Sequence, residues 1–277
     1  MKSQPMADTY VRPLFVIGDS HSGPLNGLVL RDEATGEPLA FGEAFCVQGL
    51  SAQSALSLEG EFHPGIVAAL AAFHMLRLLP HGYAGDLVTV RLGDRFFTPS
   101  WIAGHTYVLF TVGEIDAREI IASIPLDADP LLSFDADLSL LPPTAAPRIL
   151  PAADLDERIL EQMGQLFRML VGLRDFGIPR LAVSSLPPPT RDDEEYTRLT
   201  GVTSRARTRY AVHLAINATL RRFCEEADLR FIDTWHEMTE RNVVKDDMLR
   251  DGVHVGYEGA QPILRQYHSI AMEAALP

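Results

Sequence analysis

Cysteine is nearly absent from this chain of 277 residues. The two present, Cys46 and Cys224, cannot build a disulfide framework and stand at no metal-ligand spacing. Positive charge is also in short supply: 24 Lys and Arg face 37 Asp and Glu, a net charge of −13. Neither nucleic acid nor an anionic membrane would be drawn to such a surface, so neither is expected as a partner. Long hydrophobic runs are missing too. The most apolar stretch, residues 65–79, carries His74 and Arg77 and lies between Pro64 and Pro80, whereas a membrane span needs ~20 apolar residues. Residues 1–13 lack the apolar core and cleavage site of a secretory signal. The chain reads as cytoplasmic. It contains no internal repeat and no low-complexity tract.

What is present is an alternation. Short apolar runs at 14–17, 44–48, 107–112, 180–184 and 229–232 read as buried strands. Between and after them lie helical segments at 65–79, 153–176, 205–227 and 258–274. In 153–176, Leu155, Ile159, Met163, Leu166, Leu170 and Leu173 recur every three or four residues, and Gly177 and Pro179 mark the stop. Strands separated by helices predict an α/β fold, a parallel sheet covered on both faces. The whole chain, 1–277, reads as one domain with insertions near 86–101 and 122–151. The first insertion suggests an extra strand followed by a hairpin or surface flap. The second, rich in Pro and Asp, suggests a long excursion.

Ligands of such sheets sit beyond the carboxyl ends of the strands, so chemistry is sought there. Gly18-Asp19-Ser20 follows the first run directly. A serine on that tight turn is a candidate nucleophile, its own N–H open to an oxyanion; the tripeptide reads equally well as a plain turn or helix cap. Asp251-Gly252-Val253-His254 precedes the last helix and could supply an imidazole base with its orienting carboxylate. A second Asp-x-x-His, Asp233 to His236, follows the last strand and dilutes that signal. The pair before the final helix is favoured, because its loop can fold back over the end of the first strand. His63, His74, His81, His105, His213 and His268 have no metal-ligand spacing, so no metal is expected. Asp192-Asp193-Glu194-Glu195 reads as a solvated loop, and Asp19 as structural.

Taken together, Gly-Asp-Ser after strand one and Asp-x-x-His before the last helix resemble the SGNH (GDSL) hydrolase family, from Phe15 to about Ala260. The resemblance implies a three-layer α/β/α sandwich with a mostly five-stranded parallel sheet. It also implies a serine-dependent ester hydrolase needing no cofactor, acting on a small-molecule or carbohydrate ester. Ser20 would be the nucleophile, His254 the general base and Asp251 its partner, with the N–H groups of Ser20 and Gly49 forming the oxyanion hole. An O-acyltransferase with the same triad, or a weakly catalytic binding protein on this fold, are the alternatives. The third block departs from the family's Gly-x-Asn-Asp: here Gly113-Glu114-Ile115-Asp116 places Ile115 where an amide donor belongs. His21, Glu114 and Arg118 are the candidate substrate-binding residues. Arg118 either binds an anionic group or neutralises Glu114 and Asp116.

Overall fold

A computed structural model describes residues 12–73, 90–92, 95–97, 106–144, 147–178 and 180–273. Its centre is a six-stranded sheet of order β10-β9-β6-β1-β3-β2. The strands are β1 Arg12–Gly18, β2 Val29–Arg31, β3 Pro38–Cys46, β6 Tyr107–Thr111, β9 Leu181–Ser184 and β10 Arg230–Ile232. Five of them run parallel, and β2 pairs antiparallel with β3 at one edge. That edge strand and the first half of β3 were not expected, because Pro38, Gly42 and Glu43 interrupt the apolar pattern of a strand that is only half buried.

Alternation along the strands sorts side chains into two layers. Phe15, Ile17, Val108, Phe110 and Val183 face a large core on one side of the sheet. The helices there are α1 Pro64–Ala72, α2 Glu114–Ala122, α3 Ala152–Asp175 and α5 Ala206–Glu226. On the other side Leu14, Val16, Leu109, Ala182 and Ile232 meet Met238 of the short α6, Trp235–Met238, and Ile263, Leu264 and Tyr267 of α7, Tyr257–Glu273. This is an α/β/α sandwich. All six apolar positions of the periodic stripe in α3 are buried, each worth roughly 1.5–3 kcal/mol. The Tyr267 hydroxyl donates to the Pro13 carbonyl at 2.6 Å and ties α7 to β1.

The first insertion contains an antiparallel pair, β4 Val90–Leu92 with β5 Arg95–Phe97; the rest of 74–105 lies outside the described residues, as does the end of the helix expected at 65–79. The excursion at 122–151 is packed rather than loose. It holds a short parallel pair, β7 Ala128–Pro130 with β8 Arg148–Leu150. Leu138 and Leu141 bury against Tyr210 and Trp235, and Arg207 Nε donates to Asp129 at 3.1 Å.

The sheet's most demanding contact is at Gly18. A Cβ there would lie 1.9 Å from Thr111 Oγ1 and 2.5 Å from the Thr111 carbonyl oxygen on β6. Gly18→Ala should therefore lower stability by about 1–3 kcal/mol or more, read as a fall of several degrees in the thermal midpoint. Adding Thr111→Ala should restore part of the loss, since it removes the hydroxyl but not the carbonyl. A Gly18→Ala protein as stable as the parent would refute the contact.

Candidate active site

Beyond Gly18 the chain turns at Asp19, whose carboxylate accepts the His21 N–H at 2.9 Å and caps a 3₁₀ turn, Ser20–Leu25. Ser22 Oγ donates to the Asp19 carbonyl at 2.7 Å. Asp19, His21 and Ser22 are buried, while Ser20 between them is exposed. The fold thus presents one serine at the carboxyl edge of the central strand.

Gly49, on the turn after β3, is also exposed and has φ +74°, a left-handed conformation that favours glycine. Among the described residues, neither the Ser20 nor the Gly49 backbone N–H has a hydrogen-bond partner. The loop after Gly49 is held by Asp116 of the third block. Its carboxylate accepts Ala52 N–H at 2.7 Å, Gln53 N–H at 3.4 Å and the Gln162 amide at 3.3 Å. Burial pushes the Asp116 pKa up against these bonds. It locks the loop after Gly49 to the start of α2. Ile115 beside it is half-buried and brings no donor.

The loop before α7 pairs a histidine with a carboxylate. The Asp251 carboxylate accepts the Val253 and His254 N–H groups at 3.3 and 2.8 Å and lies 2.9–3.0 Å from His254 Nδ1. Burial alone would raise the Asp251 pKa; the bonds from His254 and Val253 override it and hold it at about 2. Because a carboxylate only accepts, Nδ1 is the donor in this pair, which in a neutral imidazole leaves the lone pair on Nε2. The His254 ring lies 5.3 Å, centroid to centroid, from that of His21, the residue following Ser20. The other Asp-x-x-His does not form a pair. Asp233 holds Arg221 and the Trp235 N–H, and His236 is exposed beyond β10, with β9 and β6 between it and β1.

Behind the serine, Arg118 Nη2 lies 2.5 Å from Glu114 Oε2, and His21 Nε2 lies 4.0 Å from the same oxygen. Glu114 is buried and Arg118 partly exposed. Burial raises the Glu114 pKa while Arg118 pulls it down. A recess of about 390 Å³, counting its open part, lies at the strand ends, lined by Asp19, His21, Thr111, Glu114, Ser184 and Thr234. Among the described residues no group of His, Cys, Asp and Glu is arranged to hold a metal ion, and no helix is long and apolar enough to cross a membrane.

One wall of the site escaped sequence reading. The acidic run expected as a loop opens a helix, α4 Asp193–Thr200, with Asp192 accepting the Glu195 N–H at 2.9 Å. The Glu195 carboxylate abuts Gly252 in the histidine loop. Tyr196 is buried beneath the fully buried Arg209, whose guanidinium carbon sits 4.5 Å from the ring centroid. Asp at the cap with Glu three residues on was the available signal. His213 is buried as well, its Nδ1 2.9 Å from the Pro187 carbonyl.

No protein-family model matches the sequence, nor does any curated protein. Solved structures of similar shape are found. The likeness is to GDSL-type lipases and esterases. A GDSL-like lipase from Bacteroides thetaiotaomicron is 14% identical over 99% of this chain and 93% of its own, with a TM-score of 0.45. An extracellular lipase from Streptomyces rimosus is 14% identical over 93% and 100%, at 0.44. Est24, a carbohydrate acetylesterase from Sinorhizobium meliloti, is 13% identical over 95% and 98%, at 0.39. At such identities substrate and mechanism must be argued from the site.

The buried Asp19 gives a test of this local architecture. Burial raises its pKa from 3.8 to about 7, the His21 N–H and Arg118 opposing and Glu114 assisting. A carboxyl whose folded pKa is raised binds its proton more tightly when folded. Its stabilising contribution is present below pH 4 and lost as pH rises through about 7. Asp19→Asn keeps the cap oxygen without the charge. The variant should gain about a few degrees in thermal midpoint over the parent at pH 8, with the gain shrinking toward pH 5. A constant difference across that range would refute the titration.

Proposed function

We propose that this protein is a serine-dependent hydrolase of acyl or acetyl esters of a small molecule or carbohydrate. One observation carries the reading. An exposed serine with an unpaired N–H stands at the strand edge to which the fold brings a histidine held by a carboxylate through Nδ1. In this reading Ser20 Oγ attacks the ester carbonyl while His254 Nε2 takes its proton. The Ser20 and Gly49 N–H groups stabilise the oxyanion. Collapse of the tetrahedral intermediate expels the alcohol, protonated by His254. Water, activated by the same imidazole, then releases the acid and restores Ser20. Arg118, partly exposed, faces the polar part of the substrate, with Glu114 and His21 behind it. None of these steps calls on a cofactor.

Labelling with a fluorophosphonate followed by mass spectrometry tests the reading. Modification should fall on Ser20 and vanish in Ser20→Ala, whose ester turnover should drop by about 10⁴-fold or more while the fold persists. Folded protein that stays unlabelled, or equal turnover in the variant, would end the serine mechanism.

Ile115 makes a second expectation. A missing oxyanion donor costs about 10²–10³ in kcat, so nitrophenyl acetate should be hydrolysed slowly. Ile115→Asn should raise that rate, provided circular dichroism shows a folded variant. Parent turnover already typical of efficient esterases would contradict the missing donor.

A further inference from the structure

Two residues outside the proposed triad meet at its general base. His21 is buried, and neither ring nitrogen has a hydrogen-bond partner. Its Nε2 lies 4.0 Å from Glu114 Oε2, and its ring lies 5.3 Å from that of His254, with the planes 31° apart. Arg118, Glu114, His21 and His254 therefore form one file that meets Asp251 at its far end. We propose that Glu114 and His21 are positioning residues for His254: the carboxylate, acting across the neutral His21 ring, favours the protonated imidazole that forms when His254 takes the serine proton. The proposal rests on the hydrolase reading above.

Two imidazoles this close do not share positive charge evenly, and their surroundings decide which takes it. Burial, then the neighbouring His254, push the His21 pKa down to about 3. His254 is partly exposed and already holds Asp251, so the proton goes there. His21 then acts as a rigid, uncharged spacer between two sites of opposite sign. Glu114, paired with the Arg118 guanidinium at 2.5 Å, bears the negative end; burial raises its pKa and Arg118 opposes that rise. At 4.0 Å the Glu114–His21 contact is electrostatic rather than a hydrogen bond. The negative charge still favours a proton on His21 Nε2, which orients the ring. A carboxylate one imidazole ring away from an imidazolium, in a site of intermediate dielectric, moves its pKa by about 0.5–1 unit.

Other charged or titratable groups also face this file. On its own loop His254 has Asp251, with Arg250 at 3.5 Å from that carboxylate. Glu195 of α4 abuts Gly252. On α5, His213 acts on His21, and Asp19 lies under the serine turn. All of these stay in place when Glu114 alone is changed.

The test is a proton NMR titration of His254 in the full chain, its resonance assigned with a His254→Asn variant. Glu114→Gln removes the charge and keeps the shape, and should lower the His254 pKa by about 0.5–1 unit; Glu114→Asp should restore most of it. The acid limb of kcat/KM should move to lower pH with it, with kcat reduced more than KM is raised. A merely structural role predicts no such shift. A His254 pKa unchanged within about 0.2 unit in folded Glu114→Gln overturns the proposal. Should that variant not fold, Glu114→Met, an apolar side chain suited to the buried position, supplies the same readout: the His254 pKa should again fall, and no fall overturns the proposal. The titration needs no turnover. Labelled Ser20 with an unmoved His254 removes the positioning role alone, whereas unlabelled Ser20 with a shifted His254 removes the hydrolase reading and leaves the coupling standing.

Discussion

The site depends on how closely β1 and β6 approach at their carboxyl ends. With hydrogen as its side chain, Gly18 lets the Thr111 hydroxyl and carbonyl occupy the space of a Cβ. That proximity allows Asp19 N–H to reach the Thr111 carbonyl at 3.4 Å, while Val47 N–H on the other flank reaches the Gly18 carbonyl at 2.7 Å. The serine turn is thereby suspended between the exits of β3 and β6. Three segments distant in sequence become neighbours, and each brings a different group: a hydroxyl, a backbone N–H on a left-handed glycine, and a helix start rich in carboxylates.

Those carboxylates set the electrostatics. Asp19, Glu114 and Asp116 are all buried within a short distance of one another, in a chain already strongly acidic. Burial of an unpaired charge would be prohibitive, and each one is met differently. Asp116 takes backbone N–H groups and stitches two loops together. Glu114 takes a guanidinium. Asp19 takes one N–H and leaves its other oxygen without a partner, which is why burial moves its pKa so far. Asp251, more exposed and bonded three ways, sits at the opposite extreme. Carboxyl groups driven apart in this manner within one cleft are a recurring feature of sites that move protons.

The helical wall formed by α4 belongs to the same system. It rests on Tyr196 and the buried Arg209, whose Nη1 and Nη2 donate to the Ser204 and Thr190 carbonyls and whose guanidinium lies 2.9 Å from Asp193. Through Glu195 it touches the histidine loop. The excursion packs farther along α5, against Tyr210 and Trp235. Both segments add surface beside the strand ends while leaving the sheet itself undisturbed.

The local patterns determined a good deal. The buried parallel strands are legible as apolar runs because both faces of the sheet are covered, and α3 is legible because its stripe keeps the helical period. Local residue order also made Gly18-Asp19-Ser20 a turn and Asp251 a partner within reach of His254, since three residues suffice for a carboxylate to bond a following N–H and ring. The half-exposed β2 and early β3 stayed hidden, because polar residues there interrupt any period. Likewise α4 was obscured by its acidic first turn. Which of two identical Asp-x-x-His spacings comes to the serine turn was decided only by tertiary structure. Spacing along the chain is the same for both, but strand order places β10 at the sheet's edge and carries the loop before α7 back over β1. The file from Arg118 to His254 has the same origin. Its members lie on three separate segments, and only the closure of β1 against β6, with α7 packed behind, sets their side chains within range of one another.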